Sequence, residues 1–284
     1  MEVIGKQSSE LKLFDKSFSL DNTREHRHRI IISPYQVAGV IYGEDNKIYG
    51  LYRLPLKQNK EDIFTKAVSD VLRTNNWFNP PYKSVDIYYC GGRLTLVPEE
   101  LYNPDETITY FKFNSRLSNE ESVMSELLSG TNIQCIYSIN KTLKTALEDR
   151  FTNLSIKHQF SLKLPFVLDI TADKSPNVFI HLYSGNFQIS IIENKELLLY
   201  NEYKYLRKED FLYYCLNSME QLGLNPEYTT LILAGNSIEM EEILKLMSEY
   251  IRTVKLLEFK PKLHNPSFLS QIKVHEQMYQ LIGV

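Results

Sequence analysis

The chain has 284 residues and a formal charge of -3 from 32 basic and 35 acidic side chains, which gives no global pull toward nucleic acid or an anionic membrane. No apolar run approaches 18 residues and the N-terminus carries no basic-then-apolar leader, so the sequence reads as a soluble cytoplasmic protein without a transmembrane segment. Cys90, Cys135 and Cys215 lie singly in or beside apolar runs with no metal spacing, and they fit a reducing compartment as buried thiols.

Leu11–Leu20 alternates around Leu13, Phe14 and Phe18 and predicts a strand laid against the first sheet. Arg24, His26, Arg27, His28 and Arg29 then crowd together. They read either as a phosphate site or, more simply, as a solvated lead-in to the next strand. Residues 29–32, 36–42 and 48–54 are predicted strands, the last two joined by the turn Gly43–Lys47. Residues 59–72 predict a helix capped by Asn59, with Ile63, Phe64, Ala67, Val68, Val71 and Leu72 on its apolar face. Trp77 and Phe78 follow, as an exposed aromatic knob or as cover for the helix end. Asn79-Pro80 breaks the run, and 85–89 is a strand ending at Gly91-Gly92.

The middle of the chain predicts a short strand at 93–97, a helical turn at Pro98-Glu99-Glu100, a strand over 107–113 and a short helix over 119–128. A strand over 133–139 and a helix over 140–151 capped by Asn140 come next. Residues 155–168 fit strand or helix equally. The polar stretch 169–176 marks the expected domain boundary, giving domains 1–170 and 171–284. Beyond it lie strands at 178–182, 187–192 and 196–200, a helix over 207–222 stopped by Gly223, and a strand at 231–233 leading into Ala234-Gly235-Asn236-Ser237. A helix with Met240, Ile243, Leu244, Met247 and Ile251 on one face, a strand at 254–259 and a terminal helix over 260–284 complete the reading.

The two halves repeat. Glu61-Asp62-Ile63-Phe64 has its counterpart in Glu209-Asp210-Phe211-Leu212, and Asn79-Pro80-x-Tyr82 in Asn225-Pro226-x-Tyr228. Three strands, a helix, an Asn-Pro turn and a strand recur in one order, which predicts an internal duplication equating residues 29–97 with 177–259.

Two β-β-β-α-β-α-β halves resemble the actin-like ATPase superfamily, with its sugar kinases and heat-shock 70 chaperones. The chain also resembles a bacterial family of unknown function assigned that fold, and the cytoplasmic assembly proteins of type IV pilus and type II secretion systems. The resemblance implies duplicated ribonuclease H-like domains of class α/β, each a mixed five-stranded sheet flanked by helices. It also implies two phosphate-binding hairpins carrying Asp and Gly, and an adenosine loop. At the first hairpin stand Ser33, Pro34 and Tyr35, with neither Asp nor Gly, and Pro34 has no N–H to offer a phosphate. At the second, His181 takes the place of the Mg²⁺-orienting Asp while Ser184 and Gly185 remain. The adenosine loop keeps Gly235, Asn236 and Ser237 after an apolar strand.

Ser184, Gly185, Gly235, Asn236 and Ser237 are therefore the candidate nucleotide remnant, at a cleft edge faced by Gly91 and Gly92; ordinary turns explain the same residues. Phosphoryl transfer is mostly positioning around Mg²⁺, so losing both Asp positions removes more catalysis than fold. No other catalytic or metal motif is present, and Glu99-Glu100 and Glu241-Glu242 read as solvated helix faces. The expectation is a non-catalytic actin-like protein that binds a protein or peptide partner, with no cofactor, no metal and no nucleic acid. The alternative is a divergent ATPase or kinase using ATP and Mg²⁺.

Overall fold

The computed structural model describes residues 10–56, 61–91, 93–171, 175–183, 185–235, 239–258, 261–271 and 279–283. The chain divides into two compact units within one helix, between Pro165 and Phe166. Among the described residues, the first unit takes 10–165 with Lys262–Phe268, and the second takes Phe166–Pro261 with Leu269–Gly283.

The first unit opens with β1 (Leu11–Phe14), β2 (Arg27–Ile32), β3 (Gln36–Tyr42) and β4 (Ile48–Pro55). Helix α1 (Glu61–Thr74) then crosses to β5 (Ser84–Tyr89), which lies parallel to β2. An insertion follows, made of β6 (Leu94–Pro98), α2 (Thr107–Asn114), β7 (Glu121–Leu127) and β8 (Ile133–Asn140); its strands form a separate antiparallel sheet in the order β6-β8-β7. Helix α3 (Lys141–Arg150) leads to β9 (Leu154–His158), parallel to β5, and α4 (Gln159–Ile170) carries the chain onward. The main sheet runs β1-β4-β3-β2-β5-β9. β2 is central and buried from His28 onward, with Ile30 and Ile32 fully enclosed. Val68 and Leu72 of α1 and Leu143 and Leu147 of α3 pack into the same core. Full burial of each such side chain stabilises by about 1.5–3 kcal/mol.

The second unit contains β10 (Asn177–Tyr183), β11 (Asn186–Glu193), β12 (Glu196–Lys204), α5 (Lys208–Gln221), β13 (Thr230–Gly235), α6 (Met240–Ser248) and β14 (Thr253–Leu256). Its sheet runs β12-β11-β10-β13-β14, the same order and directions as β4-β3-β2-β5-β9. The repeat read in the sequence is thus present as topology. Its fifth strand in the first unit is β9 rather than a segment before residue 97, because β6 belongs to the inserted sheet. Phe211, Cys215 and Met219 of α5 and Ile243 and Met247 of α6 cover one face of the sheet. Phe179 and Ile232, whose side chains face the other way, are buried as well. Each unit is a mixed, helix-flanked sheet, as the resemblance implies, the first with a sixth strand at its edge.

Two predicted elements exchange identity. Residues 107–113 form α2: Asn103 accepts from the Asp105 N–H, Pro104 opens a 3₁₀ turn, and that turn runs into the helix. The period-2 pattern misled because α2 is barely amphipathic, with Phe111 buried and Phe113 exposed. Residues 121–127 form β7, because β8 offers a full antiparallel partner from Glu121↔Asn140 to Leu127↔Gln134, and pairing overrides local propensity. The ambiguous stretch resolves into β9 and α4, where His158 Nδ1 accepts from the Phe160 N–H. Asn140 does cap α3, accepting from the Leu143 N–H at 3.1 Å. The caps proposed at Asn59 and the strand end at Phe259 lie outside the described residues.

Of the predicted terminal helix, residues 260 and 272–278 lie outside the described residues, and residues 261–265 are not helical. His264 bridges to Lys47, Asn265 donates to Asp15 and to the Ile48 carbonyl, and α7 (Pro266–Leu269) and α8 (Tyr279–Ile282) have four residues each. Phe268, Leu281 and Ile282 are buried. Trp77 and Phe78 are buried, Trp77 against Phe14 of β1 with ring centroids 4.8 Å apart, so they seal the end of α1 and form no knob. No described helix is long and apolar enough to cross a membrane.

None of the three cysteines is in a disulfide; Cys135 and Cys215 are fully buried and Cys90 half-buried. Burial pushes the Cys215 thiol up to about 12 and Cys135 well above its ordinary range. A bulky thiol reagent is expected to label at most Cys90 in the native protein and all three in denaturant, read by mass spectrometry. Rapid native labelling of Cys215 would contradict the packing of α5.

Candidate functional site

The two β-hairpin turns where an actin-like protein would grip phosphate occupy equivalent places. Ile32 pairs with Val37 across β2 and β3 as Leu182 pairs with Phe187 across β10 and β11. The first turn has Pro34 and Tyr35 at its tip, and the second carries Gly185 next to the Tyr183↔Asn186 pair. Ser184 lies outside the described residues, as do Asn236 and Ser237.

The first turn closes on itself. The Ser33 N–H donates to the Gln36 carbonyl at 3.0 Å, and the Gln36 N–H returns to the Ser33 carbonyl at 3.4 Å and its Oγ at 3.2 Å. The Tyr35 N–H also reaches Ser33 Oγ, at 3.4 Å. An anion cradle needs several backbone N–H groups aimed at one point. Here three are turned inward and Pro34 has none. Ser33 is buried and acts as the internal staple of the turn, while Tyr35 projects with 42% of its surface exposed.

The second turn keeps Gly185, whose φ of +73° is the left-handed conformation that glycine adopts without cost. Nothing lies within 4 Å of the place a Cβ would take there. His181 is buried two residues before the turn. Its Nδ1 lies 3.0 Å from Gln280 Nε2, and its ring lies tilted against that of Tyr183 with centroids 4.3 Å apart. With the Gln280 amide donating, the Nδ1 lone pair that a metal would require is already engaged. Alongside, Tyr183 Oη donates to Gln188 Oε1 and Gln188 Nε2 donates to Glu202, each at 3.0 Å. Tyr183, Gln188 and Glu202 thus form one hydrogen-bonded chain beside the turn.

Gly235 has a structural reason independent of any ligand. It ends β13 with φ +112°, and a Cβ there would lie 2.1 Å from the Leu182 carbonyl and 2.8 Å from His181 Cδ2. β13 approaches β10 so closely that only glycine fits. At Gly91, its expected partner from the first half, a Cβ would lie 2.7 Å from Tyr89 Oη, at the far end of a side chain; Gly92 lies outside the described residues.

The basic run 24–29 does not form one phosphate site. Arg24 and Arg27 are exposed while His26, His28 and Arg29 are buried. His28 Nε2 lies 2.7 Å from Tyr52 Oη between the rings of Phe78 and Tyr82, and desolvation lowers its pKa to about 3. Arg29 stacks on Tyr42 with its guanidinium 5.3 Å from the ring centre. Arg24, Glu25 and His26 instead border an open depression of about 530 Å³ with Gly43, Glu44, Asp45, Tyr49 and Lys83. Its charges are mixed, Glu44 and Lys83 pair directly, and burial lowers the His26 pKa against the opposing pull of Glu25 and Asp45. Sequence reasoning missed this depression because the hairpin tip at 43–49 and the start of β5 are distant in the chain. Among the described residues no cluster of three His, Cys, Asp or Glu is arranged to hold a metal.

The family model described as "Protein of unknown function (DUF3822)" matches residues 15–254. Among solved structures the chain is similar to a protein "with actin-like ATPase fold and unknown function" from Bacteroides thetaiotaomicron VPI-5482. The two are 21% identical with a TM-score of 0.80, over 89% of this chain and 98% of that one. It is also similar to a chain of the PilM-PilN type IV pilus biogenesis complex, at 11% identity and a TM-score of 0.57, over 91% of this chain and 98% of that one. No curated protein matches it in sequence. At these identities the likeness to the solved structures is one of fold.

Proposed function

The chain belongs to the DUF3822 family, and for it we propose a non-catalytic role in which the actin-like fold binds a protein or peptide partner in the cytoplasm. The observation that carries the reading is the first hairpin turn. Ser33, Tyr35 and Gln36 direct their N–H groups into the turn and Pro34 has none, so the backbone offers a β- or γ-phosphate no cradle. ATP brings several negative charges that need a cation or many oriented donors, and base contacts alone rarely repay the ordering they require. The burial of His181 against Gln280 supports the same conclusion for Mg²⁺. A partner-binding role is favoured by the fold likeness to a chain solved within a pilus biogenesis complex.

Isothermal titration of the purified protein with MgATP tests the first half of the reading. The expected result is no saturable heat at protein concentrations of about 50 µM, where any Kd tighter than about 100 µM would register. The alternative, a divergent ATPase or kinase, is favoured by one observation: Gly185 leaves open space beside a backbone that a ligand could approach. Saturable MgATP binding, or steady phosphate release, would establish that alternative and overturn the non-catalytic role.

A further inference from the structure

β9 is the last strand of the main sheet, and among the described residues side chains of the insertion, not a further strand, reach its backbone. Tyr137 of β8 donates its hydroxyl to the Ile156 carbonyl at 3.1 Å, and Glu126 of β7 accepts from the His158 N–H at 2.6 Å. His158 immediately precedes α4, and its own Nδ1 caps the helix by accepting from the Phe160 N–H. In a capping box the carboxylate on the cap residue's N–H comes from the third residue of the helix itself. Here that residue is Ser161, whose hydroxyl turns back to the His158 carbonyl at 2.6 Å, and the insertion supplies the carboxylate.

We propose that Glu126 is a proton-sensitive clasp between the inserted sheet and the start of α4, tightest when its carboxyl is neutral. The carboxylate is half-buried on β7 opposite Cys135 of β8, and among the described residues it forms no ion pair. Facing it are Lys157 and His158 of β9, Cys135 and Tyr137 of β8, and Tyr88 of β5. His158 is kept neutral by burial, with Lys163 of α4 acting in the same direction. Burial pushes the Glu126 pKa up, and the His158 N–H, the Ser161 hydroxyl and Lys157 offset that only in part. The closed clasp therefore holds a proton more readily than the opened, rehydrated side chain. As the pH falls from neutral toward the ordinary carboxylate range, closing becomes more favourable; below that range both forms are protonated and the gain is complete. At neutral pH the clasp carries a desolvated charge and opens more easily.

Exchange of the His158 amide hydrogen, followed by NMR in the full chain, reads the clasp directly. A local readout is needed because the buried His28 and His158 drive global stability the other way in acid. Glu126→Gln keeps an acceptor for the N–H and removes the charge, so at about pH 7.5 it should slow exchange about threefold or more relative to wild type. That difference should shrink as the pH is lowered toward about 5. Glu126→Ala removes the acceptor and should speed exchange at every pH, which checks the contact itself. Equal exchange in wild type and Glu126→Gln at about pH 7.5, or a difference that does not change with pH, overturns the proposal. So does a Glu126→Ala variant as well protected as wild type.

Discussion

Replacing Gly235 with alanine is expected to destabilise the second unit by about 3 kcal/mol or more, enough to leave much of the protein unfolded. Two costs add. A residue with a Cβ is strained at φ +112°, and the new methyl group would overlap the Leu182 carbonyl, to which the built Cβ lies at 2.1 Å. Neither neighbour yields easily, because Leu182 is in the ladder between β11 and β13 and His181 is buried against Gln280. Gly185 is the control. It has φ +73° and open space, so Gly185→Ala should cost about 1 kcal/mol from backbone strain alone. Urea denaturation of both variants checks the contrast. Equal, small losses at the two glycines would mean that β13 does not approach β10 as described.

Acid is expected to unfold the protein through its buried histidines. His28 and His158 both have pKa values lowered to about 3, each chiefly by desolvation, with Lys163 adding to the effect at His158. In the unfolded chain a histidine takes up its proton near pH 6.5, whereas in the native protein these two resist it until about pH 3. The unfolded state therefore binds more protons throughout that window, and native stability falls as the pH drops through it. The slope is about 1.4 kcal/mol per pH unit for each histidine once below pH 6. Between pH 6.5 and 4.5 the two together should remove several kcal/mol of a total that is typically 5–15. Asp15, held well below the usual carboxylate range by the Ser17 hydroxyl and N–H, adds a further loss below about pH 4 as its stabilising charge is neutralised. Urea midpoints across pH for the wild type and His28→Phe provide the check. The variant should be weaker at pH 7, having lost the Tyr52 hydrogen bond, but shallower in its acid slope by one proton. An unchanged slope would show that His28 is protonated in the native state.

Much of the fold was legible because both sheets obey short-range rules. The runs at 36–42, 187–192 and 231–233 are apolar wherever both faces are covered, and the turns use Asn46, Asn194 and Gly223 at positive φ. The repeat was legible from landmarks that cap helices and break them. Asp210 does accept the Arg207 and Leu206 N–H groups at the start of α5. Yet the last landmark matches in sequence only: Tyr82 is buried and donates to the Trp77 carbonyl, while Tyr228 is 72% exposed. The insertion was read wrongly in two places because its small core asks little of each element. Val97, Phe111 and Ile136 form its buried centre, and so few apolar anchors leave no clear period. At the candidate site, the residues themselves, Ser33, Pro34 and Tyr35 at one hairpin and His181 before the other, could be read directly. The closed bonding of Ser33 to Gln36 and the steric need for Gly235 could not, since both depend on which strand lies across from which.

The placement of the insertion also bears on how the two halves reach their native state. In the second unit β13 and β14 pair directly after one short helix, Thr230 against Thr253. In the first, the equivalent parallel pair Val85 and Leu154 closes only after the three-stranded sheet has been threaded between them. The intervening chain is about three times as long, which adds about 1 kcal/mol of closure entropy before any contact of β9 is gained. The late strand β9 must therefore wait for the insertion to collapse on itself and shorten the gap, whereas the second sheet can complete its pairing from local encounters. During synthesis this opposes the order of translation: the half made first is the half that is slower to finish.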